Sequence, residues 1–176
     1  MSGHNKFSKI KHQKAKNDGQ KSKIFGKLVR FISVEAKKAG GNLKSPGLAL
    51  AIEKAKKENM PNDTIDRAIK KATTDNSAAM ENITYESYGP GGVAILIEAL
   101  TDNRNKAAQE VKAILVRHGF ELASPGSASW AFTKGPEGLV PNMTMPLEDV
   151  DIEKLQTLVE ALEENDEVQE VFTNAE

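Results

Sequence analysis

The chain has 176 residues, enough for one large or two small domains, and its 24 Lys/Arg against 25 Asp/Glu leave a formal net charge of −1. It contains no cysteine, which excludes disulfides, thiolate metal sites and cysteine nucleophiles. The near-neutral total hides a division, because residues 1–75 hold 18 basic against 7 acidic side chains and residues 76–176 hold 6 against 18. A basic module is joined to an acidic one, and a self-repelling cationic surface implies a polyanionic partner.

The first thirty residues carry nine cations (Lys6, Lys9, Lys11, Lys14, Lys16, Lys21, Lys23, Lys27 and Arg30) and a single acid, Asp18. Residues 1–20 are polar, with isolated Phe7 and Ile10 and no sustained period, which predicts an extended basic arm. From Lys21 to Ala39 the period is helical. Ile24, Phe25, Leu28, Phe31, Ile32, Ala36 and Ala39 share one side, and Lys23, Lys27, Arg30, Lys37 and Lys38 the other. Val34 on the basic face and Glu35 on the apolar one break the pattern. Gly40-Gly41-Asn42 ends this helix.

Ser45-Pro46 reads as the cap and first residue of a second helix running to about Asn59, with Leu48, Ile52 and Ala55 buried. A third follows Pro61-Asn62-Asp63 and buries Ile65, Ala68, Ile69 and Ala72. Residues 21–75 thus predict a basic three-helix bundle. The polar run Thr73 to Ala79, where the charge changes sign, is the predicted boundary, and residues 80–176 form the acidic domain.

In that domain Tyr85 to Tyr88 precedes the turn Gly89-Pro90-Gly91-Gly92, and Val93 to Leu100 reads as a buried strand. Thr101-Asp102-Asn103 caps a helix from Arg104 to His118 that Gly119 stops. Phe120 to Leu122 and Ser127 to Thr133 are strand material, and Gly135-Pro136-Glu137-Gly138 joins this half to the next. Met143 to Leu147, a helix from Ile152 to Glu164 and Val168 to Thr173 give a second β-α-β unit. The fold class expected is α+β: the three-helix bundle followed by a ferredoxin-like α/β sandwich, β-α-β-β-α-β.

Catalytic patterns are absent. His4 and His12 lie in the basic arm without neighbouring carboxylates to orient them, His118 sits at a helix end next to Gly119, where an imidazole faces the terminal carbonyls, and there is no H-E-x-x-H, G-x-S-x-G or Walker loop. The acids of Glu148 to Asp151 precede a helix, whose positive end they suit, and Glu163 to Glu167 read as a solvated turn. No enzyme activity, cofactor or metal is expected. The longest apolar run, Val93 to Ile97, is too short for a membrane span, and the N-terminus lacks the apolar core of a secretory signal. A cytoplasmic protein without membrane attachment is the expectation.

Nucleic acid is the polyanion that fits best. Lysines neutralise phosphates, and Phe7 and His12 suit stacking on unpaired bases, which favours RNA or single strands over duplex. Arg30 is the only arginine in the first thirty residues, and arginine is the usual bidentate reader of guanine, so binding led by the backbone is predicted. The predicted contact residues are Lys6, Phe7, Lys9, Lys11, His12, Lys14, Lys21, Lys23, Lys27 and Arg30.

Several ordered motifs carry a family resemblance: Met1-Ser2-Gly3-His4, Ile10-Lys11-His12, Asn59-Met60-Pro61, Tyr88-Gly89-Pro90-Gly91-Gly92-Val93-Ala94, Thr101-Asp102-Asn103-Arg104-Asn105, and Gly126-Ser127 leading into Trp130 and Phe132. Over nearly its whole length the chain resembles the YebC/PmpR family, which includes the mitochondrial translational activator of cytochrome c oxidase. Phe7 stands where that family usually has Trp, and Gln13 and Ser22 replace residues often basic in it. Typical members also carry a further α/β domain after the Trp130/Phe132 strand, whereas here Lys134 passes through Gly135-Pro136-Glu137-Gly138 to Val140-Pro141, as in a short variant.

The resemblance implies a non-enzymatic regulator of gene expression. Members have been described both as DNA-binding transcriptional regulators and as ribosome-associated translation factors. The reading of the residues favours ribosomal or transfer RNA and the ribosome, with duplex DNA second. The acidic domain is expected to orient the basic one or to contact a basic protein.

Overall fold

The computed structural model describes residues 18–76, 79–136 and 138–176. They divide into two compact units, residues 18–81 and Asn82–Glu176.

The helical unit consists of α1 (Asp18–Ala39), α2 (Pro46–Lys57) and α3 (Asn62–Thr74). Helix α1 begins three residues before the expected Lys21, with Asp18 in its first turn, where a carboxylate stabilises the positive end of the helix dipole. Residues 18–20 are therefore helix and not arm, and the remainder of the predicted arm lies outside the described residues. The core joins Ile32 and Ala36 of α1 to Leu48, Ala51 and Ala55 of α2, to Met60, and to Ile65, Ala68 and Ala72 of α3. Phe25, Leu28, Phe31, Ile52 and Ile69 pack half-buried around it, as the helical period predicts, together with Val29. The two pattern breakers have separate outcomes. Val34 is buried. Glu35 lies against the first turn of α2, so close that a Cβ on Gly47 would meet its carboxylate oxygen at 2.0 Å. Its charge there faces the positive end of α2. At the end of α2, Asn59 takes the left-handed conformation (φ 61°), and the Met60 N–H donates to the Ala55 carbonyl at 3.0 Å, turning Met60 into the core.

The second unit contains β1 (Glu81–Tyr88), β2 (Ala94–Thr101), α4 (Arg104–Arg117), β3 (Leu122–Ala123), β4 (Phe132–Gly135), β5 (Gly138–Pro141), α5 (Asp149–Glu163) and β6 (Val168–Thr173). Strands β3-β1-β2-β6 form one sheet in that order, and β4-β5 form a separate hairpin. Strand β3 is antiparallel to β1 and β6 is antiparallel to β2. Strand β2 is buried on both sides because its alternate residues serve two cores. Val93, Ile95 and Ile97 pack against Val111 and Leu115 of α4 and Ile152, Leu155, Leu158, Val159 and Leu162 of α5. Ala94 and Leu96 pack on the opposite face against Ala128, Ala131, Phe132 and the hairpin residue Leu139.

The α+β architecture is thus the expected one, with three helices first and then a four-stranded antiparallel sheet carrying two helices on one face. Within it, the chain order is β-β-α-β, a hairpin, then α-β, rather than the expected β-α-β-β-α-β, and individual strands differ. Tyr85 to Tyr88 is the end of an eight-residue strand. Ser129–Ala131 is a 3-10 turn, so β4 begins only at Phe132. The segment from Gly135 to Gly138, expected to join two halves, closes the β4–β5 hairpin, with Gly135 paired to Gly138 and Thr133 to Val140. Met143 to Leu147 is not a strand: Met145 makes a lone parallel bridge to Ala175, and Pro146 beside it has no N–H to extend a ladder.

The turn between β1 and β2 is the tight one expected. Gly91 has φ 67°, and a Cβ there would meet Leu147 at 2.4 Å, so both backbone and space require glycine. Asn103 caps α4 by accepting from the Lys106 N–H at 3.1 Å.

Candidate nucleic-acid interface

Of the ten predicted contact residues, Lys6, Phe7, Lys9, Lys11, His12 and Lys14 lie outside the described residues. The other four are on α1. At 3.6 residues per turn, the spacing of Lys23, Lys27 and Arg30 (i, i+4, i+7) stacks them along one stripe. Seven residues further on, Lys37 returns to the same register, but Val34 between it and Arg30 is buried and interrupts the stripe. Phe25, Leu28, Ile32 and Ala36 occupy the opposite side, within or against the core, so packing of the unit fixes which way the cations face. Lys23 is exposed, and Lys27, Arg30 and Lys37 are partly exposed.

Lys21 does not belong to this stripe. It is in register with Phe25, Leu28 and Ile32, and remains exposed at the start of the helix. The structure therefore groups Lys23, Lys27 and Arg30 and sets Lys21 apart. Sequence periodicity placed Lys37 on the basic side, but the contact set drawn from the first thirty residues omitted it.

The Lys54 ammonium lies 5.7 Å from the centre of the Phe31 ring, and Lys57 pairs with Glu53 at 3.3 Å on the same helix. Arg67 donates to the Asp63 carbonyl at 3.2 Å, while Lys70 and Lys71 are exposed on α3.

The sheet unit has a different character. His118 lies at the C-terminal end of α4, where its Nδ1–H donates to the Ile114 carbonyl at 2.9 Å, as the helix-end position predicts. Asp149 and Asp151 occupy the first turn of α5. Glu167, expected to be solvated, is buried, with Lys106 at 3.6 Å from its carboxylate. Among the described residues no cluster of three metal-ligating side chains forms, and no helix is long and apolar enough to cross a membrane.

One feature escaped sequence reasoning altogether. Glu86, near the end of β1, is buried, and its carboxylate accepts the backbone N–H groups of Gly126, Ala128 (2.9 Å) and Ser129 (2.7 Å). Burial pushes this carboxyl upward, but the hydrogen bonds from those three N–H groups and from the Ser129 side chain outweigh it and hold the group below its ordinary range. Glu86 thereby pins the loop that carries Trp130. The Trp130 Nε1–H donates to the Ser127 carbonyl at 2.9 Å and lies 3.1 Å from the Tyr88 hydroxyl, which also donates to Ser127.

Fold and surface together define a charge-divided α+β protein, a cationic three-helix unit followed by a sheet unit that is acidic overall. Residues 5–75 match the TACO1/YebC protein N-terminal domain, and residues 80–136 and 137–175 match the TACO1/YebC second and third domain. The chain belongs to the TACO1/YebC family.

Its relatives include a probable transcriptional regulatory protein of Fervidobacterium nodosum, 38% identical over 235 positions that cover 99% of this chain and 93% of the relative. Another, from Petrotoga mobilis and of the same description, is 45% identical over 184 positions, covering 100% and 71%. A conserved hypothetical protein of Aquifex aeolicus, solved by crystallography, superposes with a TM-score of 0.80 at 32% identity over 95% of each chain. An alignment of 235 positions against 176 residues leaves at least 59 positions of the Fervidobacterium relative without a counterpart here. The two matched segments of the second and third domain abut between residues 136 and 137, at the turn of the β4–β5 hairpin. In this chain that junction is a hairpin with a short turn.

Proposed function

We propose that this protein is a non-enzymatic, nucleic-acid-binding regulator of gene expression that acts on RNA at the ribosome. The observation that carries the reading is the stripe of Lys23, Lys27, Arg30 and Lys37 on α1, opposite a face committed to the core. A row of cations on one helix face, with Lys23, Lys27 and Arg30 contiguous and Lys37 beyond the buried Val34, suits tracking of a phosphate backbone. It offers little base readout, because among the described residues of α1 only Arg30 has a guanidinium for bidentate contact. The basic arm, with Phe7 and His12 among Lys6, Lys9, Lys11 and Lys14, adds aromatic surface suited to unpaired bases. The acidic sheet unit is repelled by phosphate and serves to orient the basic unit or to meet a basic protein.

A DNA-binding transcriptional regulator is the second reading, favoured by the description given to the bacterial relatives. The two separate in a competition titration with labelled structured RNA, unlabelled RNA and unlabelled duplex DNA of matched length. The ribosome reading expects RNA to compete the more effectively at every salt concentration. Stronger competition by one particular duplex sequence would transfer the protein to transcription.

A further inference from the structure

The sheet unit carries 18 of the chain's 25 acids from residue 76 onward, yet Leu122 to Leu147 contains one acid, Glu137, and one base, Lys134. Into this charge-poor stretch fall Trp130, Val140 and Met143, and beside it Tyr88. These are four of the seven large apolar side chains exposed among the described residues. Hydrogen bonds tie several of them together. Trp130 and Tyr88 share the Ser127 carbonyl, the Asn142 side chain donates to the Trp130 carbonyl at 2.8 Å, and Thr133, which is paired with Val140, bonds to Asn142.

Trp130 is the only tryptophan in the chain and is 57% exposed, whereas every phenylalanine among the described residues is buried or half-buried. An indole left in water forgoes the burial that makes aromatic residues useful to a core. Here the ring is also held still. Its N–H is fixed on Ser127, and the loop below is fixed by three backbone N–H groups on the buried carboxylate of Glu86. An aromatic anchored by its edge and more than half exposed is preorganised for stacking.

We propose that Trp130, positioned by Tyr88 and Ser127, is a stacking platform for an unpaired base of a bound nucleic-acid strand. Charge favours this occupant, since the stretch that carries the platform holds a single acid, and the Glu86 carboxylate beneath the loop is buried and bound by N–H groups. The inference rests on the nucleic-acid reading of the chain and adds to it a base-binding residue in the unit that composition alone assigns to repulsion.

Because Trp130 is the single tryptophan, its emission reports on this site alone. The full chain is titrated with a short oligouridylate and with an RNA duplex of equal length, while anisotropy of the labelled RNA follows binding independently. Stacking requires saturable quenching by the single strand, with the same midpoint as the anisotropy, and little quenching by the duplex. W130A should weaken single-strand binding by about fivefold or more and leave the thermal midpoint in place, because an exposed ring contributes little to folding. W130F, which keeps a ring but loses the indole anchor, should fall between. Single-strand binding by anisotropy with unmoved emission, W130A affinity equal to wild type, or equal quenching by the duplex would each overturn the platform while sparing the nucleic-acid reading. Failure of either RNA to change the anisotropy would overturn both.

Discussion

Replacing Lys23, Lys27 and Arg30 together by glutamine is expected to weaken RNA binding steeply and to flatten its salt dependence. Each phosphate contact on a single strand contributes about 0.7 to the slope of log K against log salt, so losing three should lower that slope by about 2. Glutamine keeps much of each side chain's stem and so preserves the packing of Lys27 and Arg30, which are partly buried. The thermal midpoint should hardly move, because surface changes of this type usually stay within about 0.5 kcal/mol. K112Q with R117Q, which removes two exposed cations from α4, is the matched control and should leave both affinity and slope alone. A triple variant with an unchanged slope would mean that the stripe on α1 is only a solvated helix face.

The second large effect is on stability. E86A strips the carboxylate from the N–H groups of Gly126, Ala128 and Ser129, and hydrogen bonds to a charged group contribute about 1.5–3 kcal/mol each. A loss of about 3 kcal/mol or more in denaturant unfolding is expected, against about 1–3 kcal/mol for E86Q, which keeps one oxygen but turns an amide toward the donors. The pH dependence follows from the direction of the shift. The folded carboxyl lies below its unfolded value of about 4.3, so its stabilisation is complete above that pH and is lost as pH falls through the folded value. Wild type should therefore lose stability in that acid range, and the gap between wild type and E86Q should narrow there. In both variants the Trp130 emission should shift, since the loop beneath the indole is no longer pinned. Equal stability of E86A and wild type at neutral pH would contradict this account of the loop.

The helical unit was legible because each of its helices repeats apolar residues with one period, and Ser45-Pro46 and Gly40-Gly41 mark ends by local chemistry. Helix α5 was legible for the same reason, and it buries Ile152, Leu155, Leu158, Val159 and Leu162 along one face. The first strand was harder to see. Its only large apolar side chains are Ile83, Tyr85 and Tyr88, and two of the residues it buries are the polar Glu86 and Ser87. Gly135-Pro136-Glu137-Gly138 has the composition of a linker as much as of a hairpin turn, and only the pairing of Thr133 with Val140 decides. Glu86 left no local trace at all. Its partners are about forty residues away and use backbone N–H groups, which any sequence supplies. The cationic stripe was visible by its period, but Lys21 entered the contact set by composition when its register aligns it with Phe25 and Leu28.

Ribosome co-sedimentation across a salt series tests the central claim most directly. The account requires the protein to pellet with ribosomes at low salt, to leave them progressively as salt rises, and to leave at lower salt when Lys23, Lys27 and Arg30 are glutamine. Absence from the ribosome pellet at every salt concentration, together with selective binding to one promoter duplex, would contradict it and make the protein a transcriptional regulator.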